Sequence, residues 1–539
     1  MLNREEFFKT DRPSLIILVL FTLAMFFLSL GGRDFWAPDE GEYAQISQEM
    51  IESGDWIIPR LNGIPSAQKP PFFNWAAAAF SLPAGRVTEV TARLPSAIMG
   101  MIGVLATYWL GKGLFGRRTG FLSALILATS PIYLHQARWV QVDMVYSAFV
   151  YLTLACFYHG YLNDAKRGKY FLLGALLMSL GTLTKGPAAI VLPGSTILIF
   201  LIFKRRLREF LTRDLLLCLL VCILIVSPWY LAVYLRVGAN FVWELIIRHN
   251  LYMFFETWSH KRPFYYYLIN LPWEFFPWIV FLPAAILNAL ANDKEREQRL
   301  FLFAWFIGMF CFFSLSEAKQ AKYLLPLFPS IALIVGRFWD DVLSDKQSVS
   351  YKNGLLLPAV FLAVVLVFGS AAAAWVVNNK YPEFLKTSLP LGTLFALSGA
   401  AVFIMALFRL KRELFATIVV SLLLIASYLT IIINPEINHY KTAKPFCEET
   451  VKIAKDKPLG IYGIFLHQMG PYVFYTGRKL KIFDDEGEVV GFFNTQERVF
   501  CIMRDTYFNS FKDKYNGPVY SLSSASIGHR KVHLVSNQP

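Results

Sequence analysis

Two adjacent carboxylates, Asp39 and Glu40, follow the first long apolar run within Trp36-Ala37-Pro38-Asp39-Glu40-Gly41-Glu42-Tyr43-Ala44. A carboxylate at a membrane surface can accept a proton, orient a substrate or stabilise developing positive charge. Pro38-Asp39 suits a helix start, which puts Asp39 and Tyr43, four residues apart, on one face. The same acidic residues would also complement the dipole of their own helix with no chemistry attached. Downstream, Lys69 precedes Pro70-Pro71 at the mouth of an aromatic helix, where an ammonium either meets a lipid phosphate or snorkels among headgroups. Asp143 stands at the threshold of an apolar run that follows His135 to Asp143, with Arg138 in the same polar stretch. Lys185 falls at the break Leu183-Thr184-Lys185-Gly186-Pro187, and Lys322-Tyr323 ends a polar stretch from Ser316. Each signal alone is weak, but charge beside a bilayer is costly unless it is used.

The elements that must hold these residues are helices in a membrane. Mean hydropathy is +0.45, aromatic residues make up 16% and charged residues only 17%, which excludes an ordinary soluble chain. Apolar runs cover about 14–30, 96–115, 120–134, 144–161, 170–184, 187–203, 214–235, 276–291, 300–315, 323–338, 354–378, 389–408 and 415–433, thirteen in all. Basic clusters at Arg4, Lys9 and Arg12, then at 116–118, 166–169, 204–208, 294–299, 346–352 and 409–412, alternate with these runs so that all fall on one side. The positive-inside rule makes that side cytoplasmic, with the C-terminus outside. The net charge of +14 is thereby explained without nucleic acid.

The outer loops are 31–93, 135–143, 184–187, 236–275, 316–322 and 378–390, followed by the tail from Pro435. Ala44, Ile46 and Met50 give the helix after Asp39 an apolar face suited to the bilayer interface. In the tail, 459–465, 473–475 and 498–503 alternate as strands and 442–455 reads as a helix, so 435–539 is expected to be a small α/β domain beside a membrane domain of 1–434. Cys447 and Cys501 lie in that tail, and a disulfide between them is open if it faces an oxidising compartment. No glycine loop for a nucleotide phosphate occurs in the short cytoplasmic loops.

Taken together, Asp39-Glu40-Gly41-x-Tyr43-Ala44, Ser53-Gly54-Asp55-Trp56, Pro59-Arg60-Leu61-Asn62-Gly63, Lys69-Pro70-Pro71 with Trp75, Ala92-Arg93-Leu94-Pro95-Ser96, Leu183-Thr184-Lys185-Gly186-Pro187 and Lys322-Tyr323-x-Leu325-Pro326 resemble the bacterial lipid A aminoarabinose transferases. That family is related to the protein O-mannosyltransferases in the GT-C class of multi-span glycosyltransferases. The resemblance implies a GT-C fold of about thirteen membrane helices with interfacial helices in the first outer loop. It also implies a bacterial inner-membrane location with a periplasmic site, a polyprenyl (undecaprenyl) phosphate sugar donor, and lipid A or another envelope acceptor. In the family a first-loop Asp is essential and the Lys of Lys-Pro-Pro contacts donor phosphate, roles that would fall on Asp39 and Lys69. A divalent metal is implied on a Glu before Lys-Pro-Pro and a His, here His249; this chain has Gln68 at the Glu position and Ser66 where an aromatic is usual.

Transfer from such a donor breaks an anomeric C–O bond and leaves charge on phosphate, which cations must absorb. Lys69 is the first candidate, with Lys185, Arg138, Lys322 and Tyr323 behind it, while Asp39, Tyr43 and Asp143 are the candidates for chemistry. A hydroxyl acceptor would need Asp39 as general base, whereas a lipid A phosphate is already anionic. The expected outcome is inversion by a monomeric enzyme. The rival readings are an O-glycosyltransferase using a polyprenyl-phosphate hexose on protein or glycan hydroxyls, and a non-enzymatic polyprenyl-lipid flippase. The flippase would want more charge inside the spans than this chain carries.

Overall fold

A computed structural model describes residues 8–208, 213–257, 259–291 and 293–539. Arg4, in the leading basic cluster, lies outside the described residues. The chain forms two compact units. The first comprises 1–29, 67–72 and 95–433, and the second comprises 30–66, 73–94 and 434–539.

The first unit is helical because long apolar stretches leave no water for backbone groups, which must then be satisfied within each segment. Among the described residues, eight helices are long and apolar enough to cross a membrane, or nine if the bent pair Tyr266–Glu274 and Trp278–Ala291 counts as one. That pair turns through 108°. Arg12–Phe27 and Ala188–Phe203 are apolar but shorter. The run expected over 120–134 is two helices, Arg117–Ala128 and Pro131–Ala137, because Ser130 is extended at ψ 129° before a proline. Val142–Leu162 is buried along nearly its whole length, whereas Arg213–Val237 turns Leu224 and Leu235 outward, an apolar surface suited to lipid.

Helix Arg167–Lys185 fixes the polarity of this unit. Arg167 Nε lies 2.6 Å from Asp214 at one end, and Lys185 Nζ lies 2.5 Å from Asp143 at the other. Eighteen residue steps separate the two pairs by about 27 Å. The basic clusters meet acidic partners of their own: Arg117 and Lys112 hold Asp11, Arg118 holds Asp340, and Lys204 holds Glu297.

The second unit is built on a five-stranded sheet. Its strands are β3 (Leu459–Tyr462), β4 (Lys481–Phe483), β5 (Phe500–Arg504), β6 (Tyr520–Ile527) and β7 (Arg530–Ser536), in the order β4-β3-β5-β7-β6. A short hairpin of β1 (Arg60–Leu61) and β2 (Ile64–Pro65) precedes it in the chain. β3 runs parallel to β4 and β5, and β7 runs antiparallel to β5 and β6. Ile461, Ile502 and Leu534 are register partners facing helices Lys444–Ala454 and Leu466–Thr476, whereas Cys501, Met503 and Val535 face Phe492, Phe508 and Phe511.

Three expectations change here. Val473–Tyr475 is helical, because Met469, Tyr472, Val473 and Thr476 bury one face at helical spacing. Helix Asp39–Ser53 does not turn Ile46 and Met50 toward lipid; both are buried in the core shared with Phe446, Met469 and Val473. Gly41 allows the close approach, since a Cβ there would stand 2.4 Å from Pro471, and Gly470 mirrors it against Glu42. Finally, Cys447 and Cys501 are free thiols on opposite faces of the sheet, so no disulfide joins them.

Candidate active site

Asp143 lies in the first turn of Val142–Leu162, where the N-terminal dipole favours a carboxylate, and it is 4% exposed. Its Oδ1 meets Lys185 Nζ at 2.5 Å and its Oδ2 faces Lys322 Nζ at 3.8 Å. Lys185 closes the last turn of its helix, the end that favours a cation. The chain then turns at Gly186, whose φ of +102° suits glycine and whose N–H caps Thr182 O at 2.9 Å. A Cβ at Gly186 would stand 3.0 Å from the side chain of Asn250. Lys185 Nζ lies 4.4 Å from the ring centre of Tyr323 and 5.2 Å from that of Tyr146, so two aromatic faces and one carboxylate hold it.

This cluster opens on a cavity of about 430 Å³. Its polar wall includes Lys69, Lys185, His249, Asn250, Tyr146 and Tyr323, and its apolar wall includes Phe254, Phe255, Phe312 and Phe313. Asp143 and Lys322 complete the ion cluster around Lys185 without lining the cavity. Three ammonium groups, those of Lys69, Lys185 and Lys322, and the Asp143 carboxylate gather beside an aromatic slot. That combination fits an anionic headgroup attached to a hydrocarbon chain.

His249 sits in the π-helix Glu244–Tyr252. Burial, then the Lys69 ammonium and Arg248, pushes its imidazole down to about 4, so it is neutral at ordinary pH. The metal expected from the family does not fit these residues. Gln68 takes the place of the carboxylate, Glu244 is paired with Arg248 at 2.7 Å, and no three His, Cys, Asp or Glu side chains converge among the described residues. A divalent ion at His249 would also face the Lys69 charge.

Arg138 is absent from the cavity wall. Its guanidinium donates to Met25 O at 3.0 Å and Leu28 O at 2.7 Å, satisfying carbonyls that end the first helix. Asp39 and Tyr43 belong to the second unit. Both are half-buried on Asp39–Ser53, with Tyr43 packed edge-on against Phe73 at 5.4 Å. Glu40, their neighbour, is fully buried and accepts from Arg93 Nε at 3.1 Å, Arg93 Nη2 at 3.2 Å, Arg33 Nη2 at 3.1 Å and the Trp36 N–H at 3.1 Å. Burial alone would raise its carboxyl, but Arg93 and Arg33 overcome that and hold it down to about 2. Arg93 Nη1 also donates to Leu30 O and Arg33 O, and its Nη2 to Asp34 O, so the chain entering the helix is tied at several points. Sequence reasoning did not assign roles to Tyr146, Asn250 or this arginine pair. Tyr146 had a signal in its spacing, one helical turn from Asp143.

Residues 68–231 match the dolichyl-phosphate-mannose-protein mannosyltransferase family. The undecaprenyl phosphate-α-4-amino-4-deoxy-L-arabinose arabinosyl transferase of Pectobacterium atrosepticum is 31% identical over 396 residues, covering 72% of this chain and 69% of the relative. Crystalline ArnT from Cupriavidus metallidurans bound to undecaprenyl phosphate superposes with a TM-score of 0.81 over 97% of both chains, at 21% identity. The oligosaccharyltransferase of Archaeoglobus fulgidus has a TM-score of 0.57 over 96% of this chain and 70% of its own, at 13% identity. The last two likenesses are of fold, and that fold is the GT-C membrane fold.

Proposed function

Since this chain belongs to the family of undecaprenyl phosphate-α-4-amino-4-deoxy-L-arabinose arabinosyl transferases, we propose that it moves an aminoarabinose-type sugar from undecaprenyl phosphate to a phosphate of lipid A at the periplasmic face of a bacterial inner membrane. The observation that carries this reading is a cavity lined both by Lys69 and Lys185 and by Phe254, Phe255, Phe312 and Phe313. Donor phosphate binds the ammonium groups and the prenyl chain follows the phenylalanines. The thirteen helical runs then all cross the membrane, the five-stranded domain is periplasmic, and the enzyme works as a monomer.

In the reaction, the C1–O bond of the sugar breaks and its electron pair passes to the phosphate oxygen. Lys69 and Lys185, supported by Lys322, absorb that charge. An oxygen of the acceptor phosphate forms the new bond to C1 from the opposite face, giving inversion. Because that nucleophile is anionic, Asp39 orients the reactants and stabilises positive charge at C1 rather than removing a proton, with Tyr43 beside it on the same helix face. Asp143 holds Lys185 in place.

The match of 68–231 to protein mannosyltransferases supports a second reading, transfer to a hydroxyl with Asp39 as general base. One experiment separates the two. Purified protein is given the undecaprenyl-phosphate aminoarabinose donor and lipid A, and the lipid is weighed by mass spectrometry. Aminoarabinose on a lipid A phosphate is the expected product. An unmodified lipid A, with the sugar recovered on a hydroxyl acceptor, would favour the second reading.

A further inference from the structure

Tyr146 lines the cavity and is 2% exposed, yet its hydroxyl has no hydrogen-bond partner among the described residues. A buried hydroxyl left unpaired costs about 1–3 kcal/mol. Phenylalanine would fill the same space without that cost, so the oxygen needs an explanation outside the protein's own packing. Tyr146 sits one turn from Asp143 on Val142–Leu162, and Lys185 Nζ lies 5.2 Å from the centre of its ring. The hydroxyl therefore belongs to a side chain that both backs the Lys185 ammonium and lines the cavity.

We propose that Tyr146 is a further substrate-contacting residue, whose hydroxyl donates a hydrogen bond to an oxygen of the donor phosphate. The proposal rests on the assignment of this cavity to the phosphate end of the donor. As the C1–O bond breaks, its electron pair moves onto the phosphate, the hydrogen bond strengthens, and the phenolic proton stays on Tyr146. The residue thus contributes more in the transition state than in the bound ground state. The unliganded protein carries the unpaired hydroxyl as a loss of stability that the substrate relieves, a trade of stability for activity.

Activity must then fall without a loss of stability. For Tyr146→Phe, kcat with the undecaprenyl-phosphate aminoarabinose donor and lipid A is expected to fall roughly 10- to 100-fold. The thermal midpoint of the detergent-solubilised protein should stay the same or rise. An unchanged kcat would overturn the proposal, and so would a fall in kcat accompanied by a lower midpoint, since the hydroxyl would then be structural. Lys185→Met, measured alongside for binding of undecaprenyl phosphate, separates the two levels of the argument. If it weakens binding while Tyr146→Phe has no effect, the hydroxyl role fails and the cavity assignment stands. If Lys185→Met leaves binding intact, the cavity assignment fails with it.

Discussion

Arg93 donates to both carboxylate oxygens of Glu40 across fifty-three residues of sequence, at 3.1 and 3.2 Å, and so fixes the start of the helix whose first residue is Asp39. Two neighbouring carboxylates thereby acquire different environments. Glu40 is fully buried among guanidinium groups, while Asp39 is half-buried.

Glu40→Gln should act on stability. A carboxyl held at about 2 instead of 4.5 corresponds to roughly 3 kcal/mol favouring the folded state. Because the folded value is depressed, this contribution is fully present above pH 4.5 and is lost as pH falls toward 2. Thermal midpoints of wild type and Glu40→Gln should therefore differ most at neutral pH and converge as the medium is acidified. Turnover measured well below the lowered midpoint should stay near that of wild type. Equal midpoints at pH 7 would show that the arginine cluster contributes nothing.

Asp39→Asn should act on turnover. The change keeps shape and removes charge, so expression and thermal midpoint stay near wild type while kcat falls roughly 100-fold or more, the scale of losing a general base or an electrostatic partner. The expected pattern is the opposite of that for Glu40→Gln. A normal kcat in Asp39→Asn combined with a dead, stable Glu40→Gln would move the role by one residue.

How much of this was legible in the sequence follows from how local each signal is. Lys185 and Asp143 were readable because a charged residue at the end of an apolar run is conspicuous, and helix polarity put both at the same membrane side. Arg138 carries the same signal and yet serves carbonyls of the first helix, since spacing does not say which backbone groups lie nearby. The apolar face of Asp39–Ser53 was visible, but its partner was not, because Met469 and Val473 lie more than 400 residues away and a buried stripe looks alike against protein or lipid. Strand β6, Tyr-Ser-Leu-Ser-Ser-Ala-Ser-Ile, was missed because serines give no strong strand pattern; pairing with β7 decides it.

Activity should survive chelation. His249 faces the Lys69 charge, and the preceding position carries Gln68 instead of a carboxylate, so a divalent ion has neither a favourable field nor a full ligand set among the described residues. Transfer after prolonged treatment with a chelator such as EDTA, followed by removal of the chelator, should equal that of untreated protein. Loss of transfer that a divalent ion restores would place a metal in the reaction.

Asp143 and Lys185 offer the most direct separation of positioning from binding. In Asp143→Asn the Lys185 and Lys322 ammonium groups lose their shared counter-ion, and breaking a buried pair from one side costs about 3–5 kcal/mol. The thermal midpoint should therefore fall. Both ammonium groups remain, however, now without the carboxylate that competed for them, so binding of undecaprenyl phosphate should be retained or tightened. Lys185→Met should weaken that binding roughly tenfold or more, because it removes a phosphate partner. Since the two side chains touch, Asp143→Asn with Lys185→Met should destabilise less than the two changes added together. Should Asp143→Asn instead abolish transfer while leaving both the midpoint and phosphate binding at wild-type values, Asp143 would be acting on the reacting atoms, and its assignment as the anchor of Lys185 would be wrong.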